Sequence, residues 1–335
     1  MDLSIIITTY NSESTIENCL SSVVEQLQEN DEILIIDDFS TDGTVEKVKQ
    51  YLKKSSIRLI SIDKNKGVSH ARNVGIKVAT NEYLLFVDAD DSITLGLLKK
   101  IRELLNGKSA DLIMYGVNKL KEEKIEILNN EKDIYIENNE KLFMNFDNYF
   151  KRNLFNPVWN KVYKKSIIKE NNIYFKMLSN GEDLVFNIDF FEKAKDIFIT
   201  SYIGYNYVVF SETSSTRSYN QNLFDEIIIK LNSLKKFEAL KNVNLSRLFI
   251  NEIFSSCLAI YKNSRIKSCE HPISIKKFTK ILKEFAKYIK ILNYKELNGA
   301  SIMKWQLIRN PRLFFIMMMV FFKFKSFYAK KRGRV

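Results

Sequence analysis

The sequence predicts an α/β protein, a mostly parallel sheet with flanking helices, continued by a C-terminal helical region. Three observations lead there. In the first hundred residues, short apolar runs alternate with segments of helical period. Each apolar run ends in polar or acidic residues, as strands do when a sheet collects its ligand-binding groups along one rim. From Gln221 to about Asn298 the period is helical throughout, with no strand signal.

The elements follow in order. "LSIIITT" reads as a strand, and Ser14-x-x-Glu17 as a capping box for a helix carrying Ile16, Leu20, Val23, Val24 and Leu27 at helical spacing. "EILIID" is a second buried strand, "TVEKVKQYL" a helix and "IRLISI" a third strand. "VSHARNVGIKVA" is a helix leading into the strand "EYLLFV". Beyond Lys100, "DLIMYGVNKL" and "KIEIL" predict a hairpin over a polar turn. "FNPVWNKVYKKSII" and "SNGEDLVFNIDFFEKA" predict loop-to-helix segments, and "DIFITSYIGYNYVV" one strand or a pair. Asn310-Pro311 predicts an N-cap with proline at the first helical position.

Composition bounds the function. A 45% hydrophobic content allows a sizeable core, and only 3 prolines and 10 glycines leave little room for long linkers. Cys19, Cys257 and Cys269 are few, scattered and odd in number, which fits a reduced compartment with the thiols as core fillers. The opening "MDLSIIITTYNSE" has no basic n-region and reads as a first strand. The net charge of +12 sits mostly in Ser301–Val335, which holds nine Lys/Arg and no acid. The remaining 300 residues carry 43 basic against 40 acidic side chains, too balanced for a broad nucleic-acid groove.

The strand "EYLLFV" runs into Asp88, Asp90 and Asp91, three carboxylates within four residues. Like charges this close repel, and a hard divalent cation with oxygen ligands is the chemistry that neutralises them while bridging to phosphate. An Asp-x-Asp of this kind suits Mn²⁺ or Mg²⁺ with open positions for a diphosphate.

Taken together, "SIIITTYNSESTIENCLSSV", "DEILIIDDFSTDGT", "NKGVSHARNVGIKVATNEYLLFVDADD" and "GEDLVF" resemble glycosyltransferase family 2, of the GT-A Rossmann-like fold, over about residues 1–210. The resemblance implies an inverting transferase that moves a sugar from a UDP-sugar to an acceptor hydroxyl. It divides the chain into a nucleotide-sugar-binding half over 1–105 and an acceptor and catalytic half over 106–220. A helical domain over 221–300 and a basic apolar tail over 301–335 follow. It implies that Asp38 accepts from the uracil N3–H, that Thr8 and Tyr10 surround the uridine, and that Arg72 lies near the ribose or diphosphate. Asp88 and Asp90 match the metal-binding Asp-x-Asp, with Asp90 the direct ligand, and Asp91 is directed to the donor sugar or acceptor.

Inversion by in-line displacement needs a base for the acceptor hydroxyl. "NGEDLVF" supplies Glu182 and Asp183, and the resemblance implies that the Asp of this pair is the base. Trp159 in "PVWNKVY" offers a stacking face to an acceptor sugar and is equally placed to be a core tryptophan. "SETSSTRS" offers Ser214 and Arg217 to a loop over the diphosphate. No Q-x-x-R-W motif of processive members is present, which favours a non-processive enzyme.

The apolar run Leu313–Phe322 has ten residues, about 15 Å of helix and half of a hydrocarbon core. With its cations it predicts shallow attachment to an anionic membrane surface, docking in a core or dimer interface being the rival. The expectation is therefore a cytoplasmic enzyme, peripheral on the inner face of the cell membrane and compatible with a homo-oligomer. Its acceptor is a glycan or lipid-linked chain of capsule, lipopolysaccharide or teichoic acid type, and it binds no nucleic acid. The competing expectation is a catalytically silent nucleotide-binding scaffold at the membrane.

Overall fold

The computed structural model describes residues 1–53, 56–121, 124–128, 132–137, 154–209, 220–241, 245–265, 273–289 and 299–331. It divides into two compact units, Met1–Glu212 and Thr213–Val335.

Among the described residues the first unit is built on one ten-stranded sheet in the order β3-β2-β1-β4-β9-β6-β10-β5, with β7 and β8 pairing off this path. Strands β1 (Leu3–Thr9), β2 (Glu32–Asp37), β3 (Ile57–Ser61) and β4 (Tyr83–Asp88) are parallel. The apolar runs of β1, β2 and β4 are buried on both faces, whereas β3 at the sheet edge is only partly covered. The antiparallel strand β9 (Lys161–Lys164) joins β4 to β6 (Leu112–Lys121), and β10 (Ile197–Val208) runs parallel to β6. The pairing brings the acids together: Thr8 is in register with Asp88, and Thr9 with Asp37. The hairpin read in "DLIMYGVNKL" and "KIEIL" is β6 with β7 (Lys124–Leu128). Short strands β5 (Ser92–Ile93) and β8 (Ile134–Ile136) both pair with β10.

Among the described residues, helices α1 (Ile16–Val24), α2 (Thr44–Lys49), α3 (Val68–Val78), α4 (Leu97–Leu105), α5 (Lys165–Glu170) and α6 (Glu182–Lys193) belong to this unit. The Ser14/Glu17 capping box does not form. Helix α1 starts after Thr15 without a side-chain cap, and the Glu17 carboxylate pairs with Lys47 at 2.6 Å instead. The tertiary ion pair has taken the side chain that the local motif needed.

Two glycines set the site. Gly67 (φ 89°) and Gly181 (φ 88°) stand just before α3 and α6. Both take a positive φ, where a side chain is strained, at the turn into a helix.

The second unit contains α7 (Leu223–Lys241), α8 (Ser246–Asn263), α9 (Ile275–Ala286), α10 (Gly299–Arg309) and α11 (Pro311–Lys331). The part of residues 301–331 that carries the apolar run, read as a tail, packs into it. Trp305, Leu307, Ile308, Phe314, Phe315 and Met318 are buried, and Phe314 and Phe315 pack on Phe254, Tyr261 and Phe278 of α8 and α9. No helix of the described residues is long and apolar enough to cross a membrane.

Candidate active site

The carboxylates at the end of β4 diverge. Asp88 is half-buried and accepts from Arg72 Nη2 through Oδ1 at 2.9 Å, which leaves Oδ2 open. Asp90 is exposed in the loop. Although water reaches it, partial desolvation of its carboxyl together with the charge of Asp88 raises its pKa. Asp91 turns inward and is buried. Its Oδ2 accepts from the Tyr205 hydroxyl at 2.9 Å and its Oδ1 from the Val208 N–H at 2.8 Å. Burial, then the charges of Asp88 and Asp90, push Asp91 up to about 8. Asp91, expected to face donor sugar or acceptor, is placed as the peg that fastens β10 to the β4 loop. Tyr205 also accepts from the Asp88 N–H at 3.1 Å, so one phenol ties both ends of the acidic turn. Cys19 lies beneath, its thiol directed to the Asp88 carbonyl and its pKa raised by burial and the surrounding acids.

Opposite stand Glu182 and Asp183, the first two residues of α6. Asp183 accepts from Arg72 Nη1 at 2.6 Å and from the Val158 N–H at 3.3 Å. Glu182 lies 3.7 Å from the same Arg72 nitrogen. Burial raises both pKa values against the opposing effect of Arg72. Glu182, with the charge of Asp183 beside it, reaches about 7.

Arg72, expected near ribose or diphosphate, is buried between these two sets of acids, with Phe175 stacked 5.3 Å away. Burial alone would lower its pKa; Asp183, Asp88 and Glu182 together more than offset this and hold the guanidinium charged. Its Nε has no hydrogen-bond partner.

The nucleotide-facing rim comes from β1, β2 and the turn before α3. Asp38 is buried and accepts from the Lys66 and Gly67 N–H groups at 2.8 and 2.7 Å, so it fastens the "NKG" turn to the end of β2. Asp37 accepts from Ser40 N–H and shapes the following turn. Thr8 is buried beside Asp88, whereas Tyr10 is exposed. Phe39, which sequence reading passed over, is also exposed and holds φ 70°, a strained value for a bulky side chain.

Trp159 is core rather than a free platform. Its indole stacks on Tyr205 and Tyr207 at 4.4 and 5.3 Å and is 7% exposed. The surrounding loop is held from below. Buried Lys161 donates to the Leu154 and Pro157 carbonyls and to Asn160 Oδ1, and Asn187 donates to the Phe155 and Asn156 carbonyls. Burial drives the Lys161 pKa well below the ordinary lysine value. Ser214 and Arg217 lie outside the described residues.

Among the described residues no three His, Cys, Asp or Glu side chains converge as a metal cage. The donor set that exists is the free Asp88 oxygen and the Asp90 carboxylate. Two hard oxygen donors, with substrate phosphate and water supplying the rest, is how Mg²⁺ is commonly held, so the residues fit a divalent cation.

A Rossmann-like sheet with an Asp-x-Asp at its rim, joined through Arg72 to an acid pair, is the arrangement that the resemblance to the glycosyltransferases implies. The chain belongs to glycosyl transferase family 2, whose model matches residues 4–171. It is 32% identical over 264 residues to the poly(ribitol-phosphate) beta-glucosyltransferase of Bacillus spizizenii, covering 76% of this chain and 40% of that protein. It is 30% identical to the poly(ribitol-phosphate) beta-N-acetylglucosaminyltransferase TarP of Staphylococcus aureus over 245 residues, 70% of this chain and 71% of that one. The crystal structure of S. aureus TarS residues 1–349 in complex with UDP-GlcNAc superposes with a TM-score of 0.57 at 20% identity, covering 86% of this chain and 89% of that one. That likeness speaks for the fold. The chain spans less than half the length of the Bacillus protein.

Proposed function

We propose that this protein is an inverting glycosyltransferase that moves a sugar from a UDP-sugar to a hydroxyl of a bacterial surface glycan, with a polyol-phosphate chain of the teichoic acid type as acceptor. The observation that carries the reading is the convergence of Asp88 and Asp183 on Arg72, which joins the Asp-x-Asp and the acid pair in one cleft. The relatives named for poly(ribitol-phosphate) support the acceptor class, and a fold neighbour in complex with UDP-GlcNAc supports the donor class.

Tyr10 and Phe39 present ring faces for the uracil, beside Asp38 at the end of β2. Asp90 and the free oxygen of Asp88 would hold Mn²⁺ or Mg²⁺, which would supply positive charge to the diphosphate leaving group. Asp183 takes the proton of the acceptor hydroxyl as its oxygen attacks the anomeric carbon, and the UDP oxygen leaves from the opposite face. Arg72 holds the Asp183 carboxylate in place and opposes the burial that raises its pKa. Residues 301–335 join an apolar run to nine cations, and on this reading the protein works at the cytoplasmic face of the membrane, attached through its last helices.

The test is UDP release over a panel of UDP-sugars with poly(ribitol-phosphate) as acceptor, with Mn²⁺ and with chelator. One UDP-sugar is expected to give acceptor-dependent, metal-dependent release. No release from any nucleotide sugar would refute the reading in favour of a silent binding protein.

A further inference from the structure

The second unit carries a surface that the catalytic reading does not use. Helix α9 turns Phe278, Ile281, Leu282 and Phe285 into the core and leaves Lys276, Lys277, Lys280 and Lys283 exposed. None of these four has a carboxylate partner among the described residues; the neighbouring Glu284 is paired with Lys287 at 2.6 Å. Arg312, in the first turn of α11, joins Lys276, Lys280 and Lys283 around a surface depression of about 370 Å³. Four cations from two helices, Lys276, Lys280, Lys283 and Arg312, thus share one face.

Beside Arg312 the apolar character of α11 divides into two stripes. Phe314, Phe315 and Met318 are buried, whereas Leu313, Ile316, Met317, Val320 and Phe321 are 45–58% exposed. The exposed set has the i, i+3, i+4, i+7, i+8 spacing of a continuous helical face. Side chains of this size in a row on a protein surface mark a place where something docks.

Charge decides the occupant. In a two-fold dimer an isologous patch meets its own copy, so Arg312 and the α9 lysines would be brought close to their equivalents, in a region where residues 301–335 have no acid to offer. A nucleic acid would satisfy the cations and leave the apolar stripe in water. An anionic bilayer surface satisfies both, with the stripe at the acyl boundary and the cations at the headgroups. We propose that the exposed stripe of α11 and the cationic face of α9 with Arg312 form one surface by which the protein lies on an anionic lipid leaflet. This rests on the membrane-face location proposed above and is independent of donor and reaction. It also combines the two readings of residues 301–335, since α10 and the other stripe of α11 belong to the core.

The experiment is flotation of the full chain with phosphatidylglycerol–phosphatidylcholine vesicles and with pure phosphatidylcholine. It uses the wild type, a K276Q/K280Q/K283Q/R312Q variant and an I316S/M317S/F321S variant, with thermal melts and UDP affinity measured on each. The wild type floats with anionic vesicles only, and each variant partitions at least tenfold less while melting and UDP affinity stay unchanged. If both variants float like the wild type, the surface is wrong and the membrane location stands. If the wild type fails to float, both fall. If the apolar variant instead turns a dimer into a monomer without loss of flotation, the stripe is an interface between copies and the proposal is overturned.

Discussion

Arg72 donates to Asp183 at 2.6 Å across 111 residues of sequence, and its other terminal nitrogen donates to Asp88 at 2.9 Å. A planar guanidinium reaches two carboxylates from fixed positions; an ammonium is a point charge on a flexible stem. Arg72→Lys is therefore expected to keep the fold and lower the transfer rate by about 10²-fold, the scale of general-base catalysis, with acceptor KM little changed. Arg72→Met strips the acids of their partner and should cost about 3–5 kcal/mol of stability, the range for breaking a buried pair, as read by urea unfolding. Wild-type turnover in Arg72→Lys would show that Arg72 positions nothing.

The acid pair predicts a pH profile. Glu182, raised to about 7 by burial and the charge of Asp183, keeps its proton well above the ordinary carboxylate range. A base works ionised, so transfer should rise with pH through about 7 and then level, with the midpoint belonging to the Glu182–Asp183 pair. Glu182→Gln removes a neighbouring negative charge and should move the midpoint to lower pH. The same shift has a sign for stability: the folded protein keeps a proton that the unfolded chain has lost, so stability falls as pH rises from about 4.5 to about 7. An acid limb near pH 4.5 that ignores Glu182→Gln would contradict this assignment.

Much of the site was legible because strand ends and helix starts are local. The apolar run before Asp88 and the turn before Glu182 both show in a few residues of sequence. What local pattern does not carry is partnership. Nothing near Asp91 in the chain announces Tyr205, 114 residues on, whose hydroxyl turns that carboxylate inward. Trp159 looked equally fit for a ligand or for the core until β10 brought Tyr205 and Tyr207 under its ring. The Ser14/Glu17 box failed for the same reason, because Lys47 on another helix took Glu17. Lys161 did leave a signal, a lone cation in the apolar run "PVWNKVY".

Lys161 offers a stability test away from the reacting atoms. Its ammonium meets two backbone carbonyls and an amide oxygen in a buried position. Lys161→Met keeps the volume and leaves those acceptors unpaired, at about 1–3 kcal/mol for a buried group. The expected loss is about 2–4 kcal/mol in urea unfolding, with the 154–160 loop opening to protease before the rest of the unit. Unchanged stability would mean that those acceptors find other partners.

Phe39 separates stability from binding. Its φ of 70° is strained for phenylalanine and free for glycine. Phe39→Gly should leave the melting temperature equal or higher while weakening UDP affinity several-fold, because a ring face for the base is lost. If calorimetry finds the UDP affinity unchanged, Phe39 lies outside the nucleoside site.

The central claim is that one cleft binds a UDP-sugar at the end of β4 and performs its chemistry at the start of α6. Asp90→Asn and Asp183→Asn test it directly when UDP affinity and UDP-sugar turnover are measured on the same preparations with Mn²⁺ present. The account predicts that Asp90→Asn loses both, and that its UDP affinity matches that of the wild type in EDTA. Asp183→Asn should bind UDP nearly as the wild type does and turn over at least about 10²-fold more slowly. Turnover in Asp183→Asn within a few-fold of wild type, or UDP binding indifferent to both Asp90 and EDTA, would contradict it.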